Sequence, residues 1–179
     1  MFKTGAPRDP LVVTMVGVKL GDRLLIIGCE HAKVVAQLAL KAGLTGRACA
    51  LDENVAMSAR AAAVAQREGA LLETETAPPT MLPHNDSAFD IVVLNHMLGR
   101  VQPDRRTAIL HEAVRVLREG GRCIAIEPAT RGGLAALFGG ARPGSAEIEL
   151  AFRSADFRAV RTLAEREGLT FVEGAKKRR

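Results

Sequence analysis

Short apolar runs alternate with longer amphipathic stretches along the chain, and most of the boundaries fall at Gly, Pro, Asp or Asn. The opening stretch DPLVVTMVGV predicts a helix with Asp9 as its N-cap and Pro10 at the first helical position. RLLIIG (23–28) predicts a strand, AKVVAQLALKAG (32–43) a helix stopped by Gly43, and RACALD (47–52) a second strand. The Ala-rich NVAMSARAAAVAQREG (54–69) predicts a helix ending at Gly69. A strand over ALLETE (70–75) and a Pro-rich loop follow.

The second half keeps this rhythm. FDIVVLN (89–95) is apolar on both faces and predicts a buried strand. PDRRTAILHEAVRVLREG (103–120) predicts a helix with Ile109, Leu110, Ala113, Val114 and Leu117 on one face, stopped by Gly120–Gly121. RCIAIEP (122–128) predicts the next strand, and the Gly-rich 129–145 carries no regular pattern. A short helix over 146–155 then leads to FRAVRTLAE and LTFVEGAKK, a hairpin joined by Arg166-Glu167-Gly168.

Strands alternating with helices imply an α/β fold, a doubly wound parallel sheet with right-handed crossovers and helices on both faces. The closing hairpin adds an antiparallel strand at the edge. With no internal repeat and no linker, residues 1–179 are expected to form a single domain. In such sheets ligands bind beyond the carboxyl ends of the strands, where the strand order reverses. That places interest on Gly28–Ala32, Asp52–Asn54, Asn95–Leu98 and Glu127–Thr130.

Composition narrows the classes. Apolar residues make up 47% of the chain and charged residues 25%, as in soluble globular proteins. No apolar run reaches the roughly 20 residues that span a bilayer, and MFKTGAPRDP lacks a signal-peptide core, so no membrane partner and a cytoplasmic location are expected. Lys176, Lys177, Arg178 and Arg179 supply four of the five net positive charges, which reads as a solvated basic tail rather than a nucleic-acid surface. Cys29, Cys49 and Cys123 are expected as reduced, buried thiols, and the four histidines form no zinc-like pattern with them.

LPHNDSAFDIVVLNHML and EAVRVLREGGRCIAIEP together resemble segments of the class I S-adenosylmethionine-dependent methyltransferases, especially the branch acting on small molecules. The first is similar to that family's approach to its fourth strand. The second is similar to its helix, Gly-Gly turn and fifth strand. The resemblance spans roughly residues 9–176 and implies a Rossmann-like sheet of seven strands in order 3-2-1-4-5-7-6, the last strand antiparallel.

It also implies S-adenosylmethionine as cofactor, with Gly28, Asp52 and Asn95 as its contacts. Gly28 permits close backbone approach. Asp52 ends the second strand, where the family hydrogen-bonds the ribose; it or Asn54 can equally cap the next helix. Asn95 ends the fourth strand, where it can meet a ligand or cap the strand-end backbone. His96 beside it is the best-placed general base.

The cofactor loop is degenerate. Where the family carries an acidic residue before G-x-G-x-G, this chain has Ile26, then Gly28, Glu30 and Ala32. A Glu30 carboxylate either rests on the helix dipole or opposes a ligand carboxylate by about 1–4 kcal/mol at contact distance. Filling the anion site of its own loop is a further option. Pro78 stands where many members hold adenine with an acidic residue, leaving Met81 and Leu82 as an apolar wall. Leu134, Leu137 and Phe138 are candidate lid contacts.

The leading expectation is methyl transfer to an unidentified small-molecule acceptor, with no catalytic side chain assigned and no metal. The alternative is a methyltransferase-like binding or assembly module that has lost its cofactor, on the strength of Ile26, Glu30, Ala32 and Pro78. A weaker third uses the basic tail on nucleic acid. An exposed edge strand or the first helix's apolar face offers a surface for a homo-oligomer.

Overall fold

The computed structural model describes residues 10–129 and 143–178. In chain order the elements are α1 (Leu11–Val16), β1 (Arg23–Ile27), α2 (Ala32–Ala42), β2 (Arg47–Asp52), α3 (Val55–Glu68) and β3 (Glu73–Thr76). Then come β4 (Phe89–Asn95), a 3-10 turn at Leu98–Arg100, α4 (Pro103–Val116), β5 (Leu117–Pro128), α5 (Ser145–Ser154), β6 (Arg158–Arg166) and β7 (Leu169–Ala175). The strands form one sheet in the order β3-β2-β1-β4-β5-β7-β6. β7 runs antiparallel to both of its neighbours, while the pairs from β3 to β5 are parallel.

Side-chain alternation along the central strands divides the core in two. Leu24 and Ile26 of β1, Ala48 and Ala50 of β2, and Ile91 and Val93 of β4 enter one cluster, beneath α1, α2 and α3. Leu25, Ile27, Cys49, Leu51, Val92 and Leu94 enter the other, beneath α4 and α5. Burial on both faces is why these runs lack an apolar/polar alternation in sequence. Small residues let the helices lie close: Ala36 and Ala39 of α2 and Ala61 and Ala65 of α3 are all buried in the first cluster.

Several boundaries differ from the sequence reading. Helix α1 begins at Leu11 with Pro10 as its N-cap residue, and Asp9 lies outside the described residues. Helix α4 ends at Val116, and Gly120–Gly121 belong to β5 instead of stopping the helix. There the strand bulges: Phe89 faces Leu117, yet Ile91 faces Arg122. A Cβ at Gly121 would lie 2.9 Å from the Arg118 carbonyl oxygen, so only glycine fits the bend. The antiparallel strand β7 sits inside the sheet, and its hairpin partner β6 forms the edge.

The basic tail is also less free than its composition implies. The Lys176 amide donates to the Gly121 carbonyl at 2.8 Å, and its Nζ donates to the Leu117 carbonyl at 2.7 Å. Its ammonium therefore sits on the carboxyl end of α4, a favourable place for a cation. The lid candidates Leu134, Leu137 and Phe138 lie outside the described residues. Among those described, no helix is long and apolar enough to cross a membrane.

Asp90 pins the amino-terminal edge of the sheet. It accepts from the Arg23 amide at 2.8 Å and from Arg23 Nε at 3.1 Å, and it pairs with Arg118 at the start of β5. Burial pushes its carboxyl upward, but the bonds from Arg23 and Arg118 prevail and hold it at about 2, below the ordinary 3.8. A depressed folded pKa means stability present above 3.8 and lost as pH falls toward 2. Asp90→Asn should therefore cost about 1 kcal/mol near neutrality, a figure discounted for solvent screening. Denaturant unfolding at several pH values should show a shallower loss between about pH 4 and pH 2 than in the native chain. Parallel curves for the two proteins would refute this role.

Candidate functional site

The cavity at the carboxyl end of the sheet is assembled from the exits of β1, β2 and β4. Because β2 lies on one side of β1 and β4 on the other, the chain leaves the sheet centre in opposite directions there and opens a crevice. A cavity of about 230 Å³ occupies it, lined among others by Gly28, Asp52 and Asn95. The three residues singled out from the sequence thus share one space.

Gly28 holds the floor. Its φ of 101° lies in the region that disfavours side chains, and a Cβ there would stand 2.4 Å from the Asn95 carbonyl oxygen. The Gly28 amide donates to the Leu51 carbonyl at 2.9 Å, and Asn95 Nδ2 donates to the Gly28 carbonyl at 3.0 Å. That bond fixes the orientation of the Asn95 amide. Asn95 Oδ1 is then buried with no hydrogen-bond partner among the described residues.

Asp52 ties the first loop to the second. Its Oδ2 accepts from the Cys29 amide at 2.7 Å, and its Oδ1 accepts from the Asn54 amide at 2.9 Å. Asn54, not Asp52, caps α3, with its Oδ1 accepting from the Ala56 amide at 2.9 Å. Each Asp52 oxygen keeps a lone pair beyond these bonds. Burial, reinforced by the Asp52 charge, pushes the Cys29 thiol up to about 12, so it is neutral and not a nucleophile near pH 7.

Glu30 does not fill the anion site of its own loop. Its carboxylate pairs with the Arg100 guanidinium on the 3-10 turn after β4, and both side chains are about half exposed at 47% and 52%. The Arg100 hydrogen bond holds the Glu30 carboxyl below its usual range despite some burial, helped by the positive sides of His31 and His96. His31 and His96 stack with ring centroids 4.2 Å apart, a second bridge between the loops after β1 and β4. A similar pair, Glu53 with Arg105, also lines the cavity.

The loop after β4 rests on a buried support; the sequence placed interest on Glu127–Thr130 but not in this role. Glu127, 2% exposed at the end of β5, accepts from the Leu98 amide at 2.7 Å. Burial raises its carboxyl, while the amides of Leu98, Gly99 and Met97 act in the other direction. Arg106 Nε donates to the Leu98 carbonyl at 3.1 Å, and its Nη1 donates to Glu147 at 2.6 Å. The available signal was Arg106 itself, three and four residues before Ile109 and Leu110 on the buried face of α4. Arg100 and Arg105 carried no such signal.

The expected apolar wall shifts. Pro79 lines the cavity, while Met81 is 70% exposed and Leu82 is buried in the core, so neither forms a wall. All three cysteines are free and buried. Among the described residues no cluster of His, Cys, Asp and Glu is arranged to hold a metal.

Gly28→Ala should destabilise the chain by at least about 2 kcal/mol, since it adds strain at positive φ to a backbone collision. Equilibrium unfolding in urea measures this, and a change below about 0.5 kcal/mol would contradict the tight Gly28–Asn95 approach.

Comparison with known proteins identifies the family. Residues 25–125 match the family model described as a methyltransferase domain, a stretch covering more than half of the chain and including the end of β1 and all of β2 and β4. The chain is 31% identical over 118 residues to methyltransferase GfsG of Streptomyces halstedii, covering 65% of this chain and 41% of that protein. It is 31% identical over 112 residues to 27-O-demethylrifamycin SV methyltransferase of Amycolatopsis mediterranei (strain S699), covering 60% of this chain and 39% of that protein. It therefore spans about two fifths of the length of these curated relatives. The fold matches a SAM-dependent methyltransferase from Aquifex aeolicus with a TM-score of 0.78 at 19% identity, over 92% of this chain and 87% of that one. With the family match lying across the strands that build the cavity, the chain belongs to the class I S-adenosylmethionine-dependent methyltransferase family.

Proposed function

We propose that this chain binds S-adenosylmethionine in the cavity at the β1/β4 reversal and transfers its methyl group to a small-molecule acceptor. The observation that carries this reading is the convergence of Gly28, Asp52 and Asn95, from three separate strand ends, on one cavity. The residues fit the cofactor in charge. Asp52, Glu30 and Glu53 set three carboxylates against the two guanidiniums of Arg100 and Arg105, a net charge of about −1 facing a ligand of about +1. They fit in hydrogen bonding too: Asp52 has acceptor capacity left for ribose hydroxyls, and Asn95 Oδ1 is buried without a donor among the described residues.

The cofactor supplies an electrophilic methyl on a sulfonium. The chain's task is then to align acceptor and methyl and to keep water away, which accounts for much of such a reaction. Asp52 orients the ribose, and Gly28 lets the backbone come close. His96 lines the same cavity and is the group there whose ordinary pKa suits taking a proton from an acceptor hydroxyl near neutrality. A small acceptor is favoured by the name of the 27-O-demethylrifamycin SV methyltransferase relative and by apolar lining from Pro79, Met97 and Val101.

Calorimetric titration with S-adenosylmethionine and S-adenosylhomocysteine tests the reading. The native chain is expected to bind both with micromolar dissociation constants. Asp52→Asn should weaken both by at least tenfold, about 1.4 kcal/mol, while Asp86→Asn, on an exposed pair with Arg115, leaves them unchanged. A native chain that binds neither nucleoside would end this proposal.

A further inference from the structure

We propose that the Glu30–Arg100 ion pair is the receptor for the amino-acid end of the cofactor: Arg100 takes the α-carboxylate and Glu30 takes the α-ammonium. The inference rests on the cofactor reading above and deepens it, because it assigns a role to the residue that breaks the glycine pattern of the first loop.

A carboxylate at such a turn would ordinarily be met by backbone amides. Here the Gly28 amide is bonded to the Leu51 carbonyl at 2.9 Å, and the Cys29 amide is bonded to Asp52 at 2.7 Å. Both are committed inside the protein. That leaves fewer loop amides for a ligand carboxylate, and the cavity lining holds two arginines, Arg100 and Arg105.

Position chooses between them. Arg105 is paired with Glu53, next in sequence to Asp52, and so belongs to the end of the cavity where the ribose is assigned. Arg100 is paired with Glu30, two residues from Gly28, and so belongs to the first loop itself. An amino-acid group carries both signs of charge on neighbouring atoms, and a Glu–Arg pair presents both signs at one place. Opening the pair for such a ligand replaces one ion pair with two and leaves the net charge of the site unchanged.

The pair is also cheap to open. Both side chains are about half exposed, at 47% and 52%, and exposed ion pairs contribute little to folding. Arg100 keeps its backbone on the turn seated on Glu127, so the guanidinium can change partner without moving the loop. Glu30 stays ionised because Arg100, then His31 and His96, favour its charged form. Asn95 Oδ1, beside Gly28 and without a donor among the described residues, gives the ammonium a second acceptor.

Two ligands separate this inference from the reading beneath it. S-adenosylhomocysteine has the amino-acid end; 5′-methylthioadenosine has the same nucleoside and a thioether without it. For the native chain, S-adenosylhomocysteine is expected to bind at least thirtyfold more tightly in calorimetry. Glu30→Gln and Arg100→Gln should each reduce that ratio at least tenfold while changing methylthioadenosine affinity less than threefold. The double exchange Glu30→Arg with Arg100→Glu restores an ion pair but reverses its polarity, and it should not restore the ratio. Recovery of the ratio by the exchange would mean the pair acts only as a structural clasp and would overturn the inference. Tighter S-adenosylhomocysteine binding by Glu30→Gln would do so as well, by making Glu30 an obstruction. Unaltered ratios in the single variants, or equal affinity of the native chain for the two ligands, would also overturn it. Failure of the native chain to bind either nucleoside would instead remove the cofactor reading itself.

Discussion

Two neighbouring strands, β1 and β4, leave the centre of the sheet so close together that the residue just after the first has room for no side chain. A Cβ on Gly28 would stand 2.4 Å from the Asn95 carbonyl oxygen. The contact occurs where strand order reverses, and the reversal itself opens the crevice. Everything around the cavity follows from it. The Gly28 carbonyl is brought to Asn95 Nδ2, the next amide is brought to Asp52, and the loops after β1 and β4 are brought near enough for His31 to stack on His96.

Two kinds of charge serve this geometry, and burial distinguishes them. Glu127 and Arg106 are nearly inaccessible, at 2% and 6%, and between them they hold Leu98 by its amide and its carbonyl. Buried, hydrogen-bonded polar groups of this kind are expensive to leave unpaired and therefore fix the backbone they hold. Glu30–Arg100 and Glu53–Arg105 are solvated and can change partners at small cost. A rigid support beneath a pair of exchangeable ions is a sound arrangement for receiving a charged ligand.

Much of this was legible in the chain. FDIVVLN and RACALD were read to their observed ends because burial on both faces leaves uninterrupted apolar runs. The hairpin was readable from Glu167-Gly168, both at positive φ, which suits a two-residue turn. Gly28, Asp52 and Asn95 could be placed together because each ends a strand in a sheet of known handedness. The end of α4 was misread because Gly120–Gly121 signals a break in any element, and only the pairing of β5 with β4 assigns it to a strand bulge. Lys176 was read as solvated because no local pattern reveals that β7 carries it back to the carboxyl end of α4. Glu30 drew attention as an intruder among glycines, but its partner lies 70 residues away on a short turn, and composition cannot report that pairing.

The central claim is that the crevice at the β1/β4 reversal is where the cofactor sits. Amide hydrogen exchange of the native chain, with and without saturating S-adenosylhomocysteine, tests it most directly because the readout is mapped along the backbone. Added protection is expected at residues 28–31, 52–55 and 95–100, the three strand exits that line the cavity. Protection confined instead to the opposite end of the sheet, around residues 14–22 and 118–122, would contradict the account.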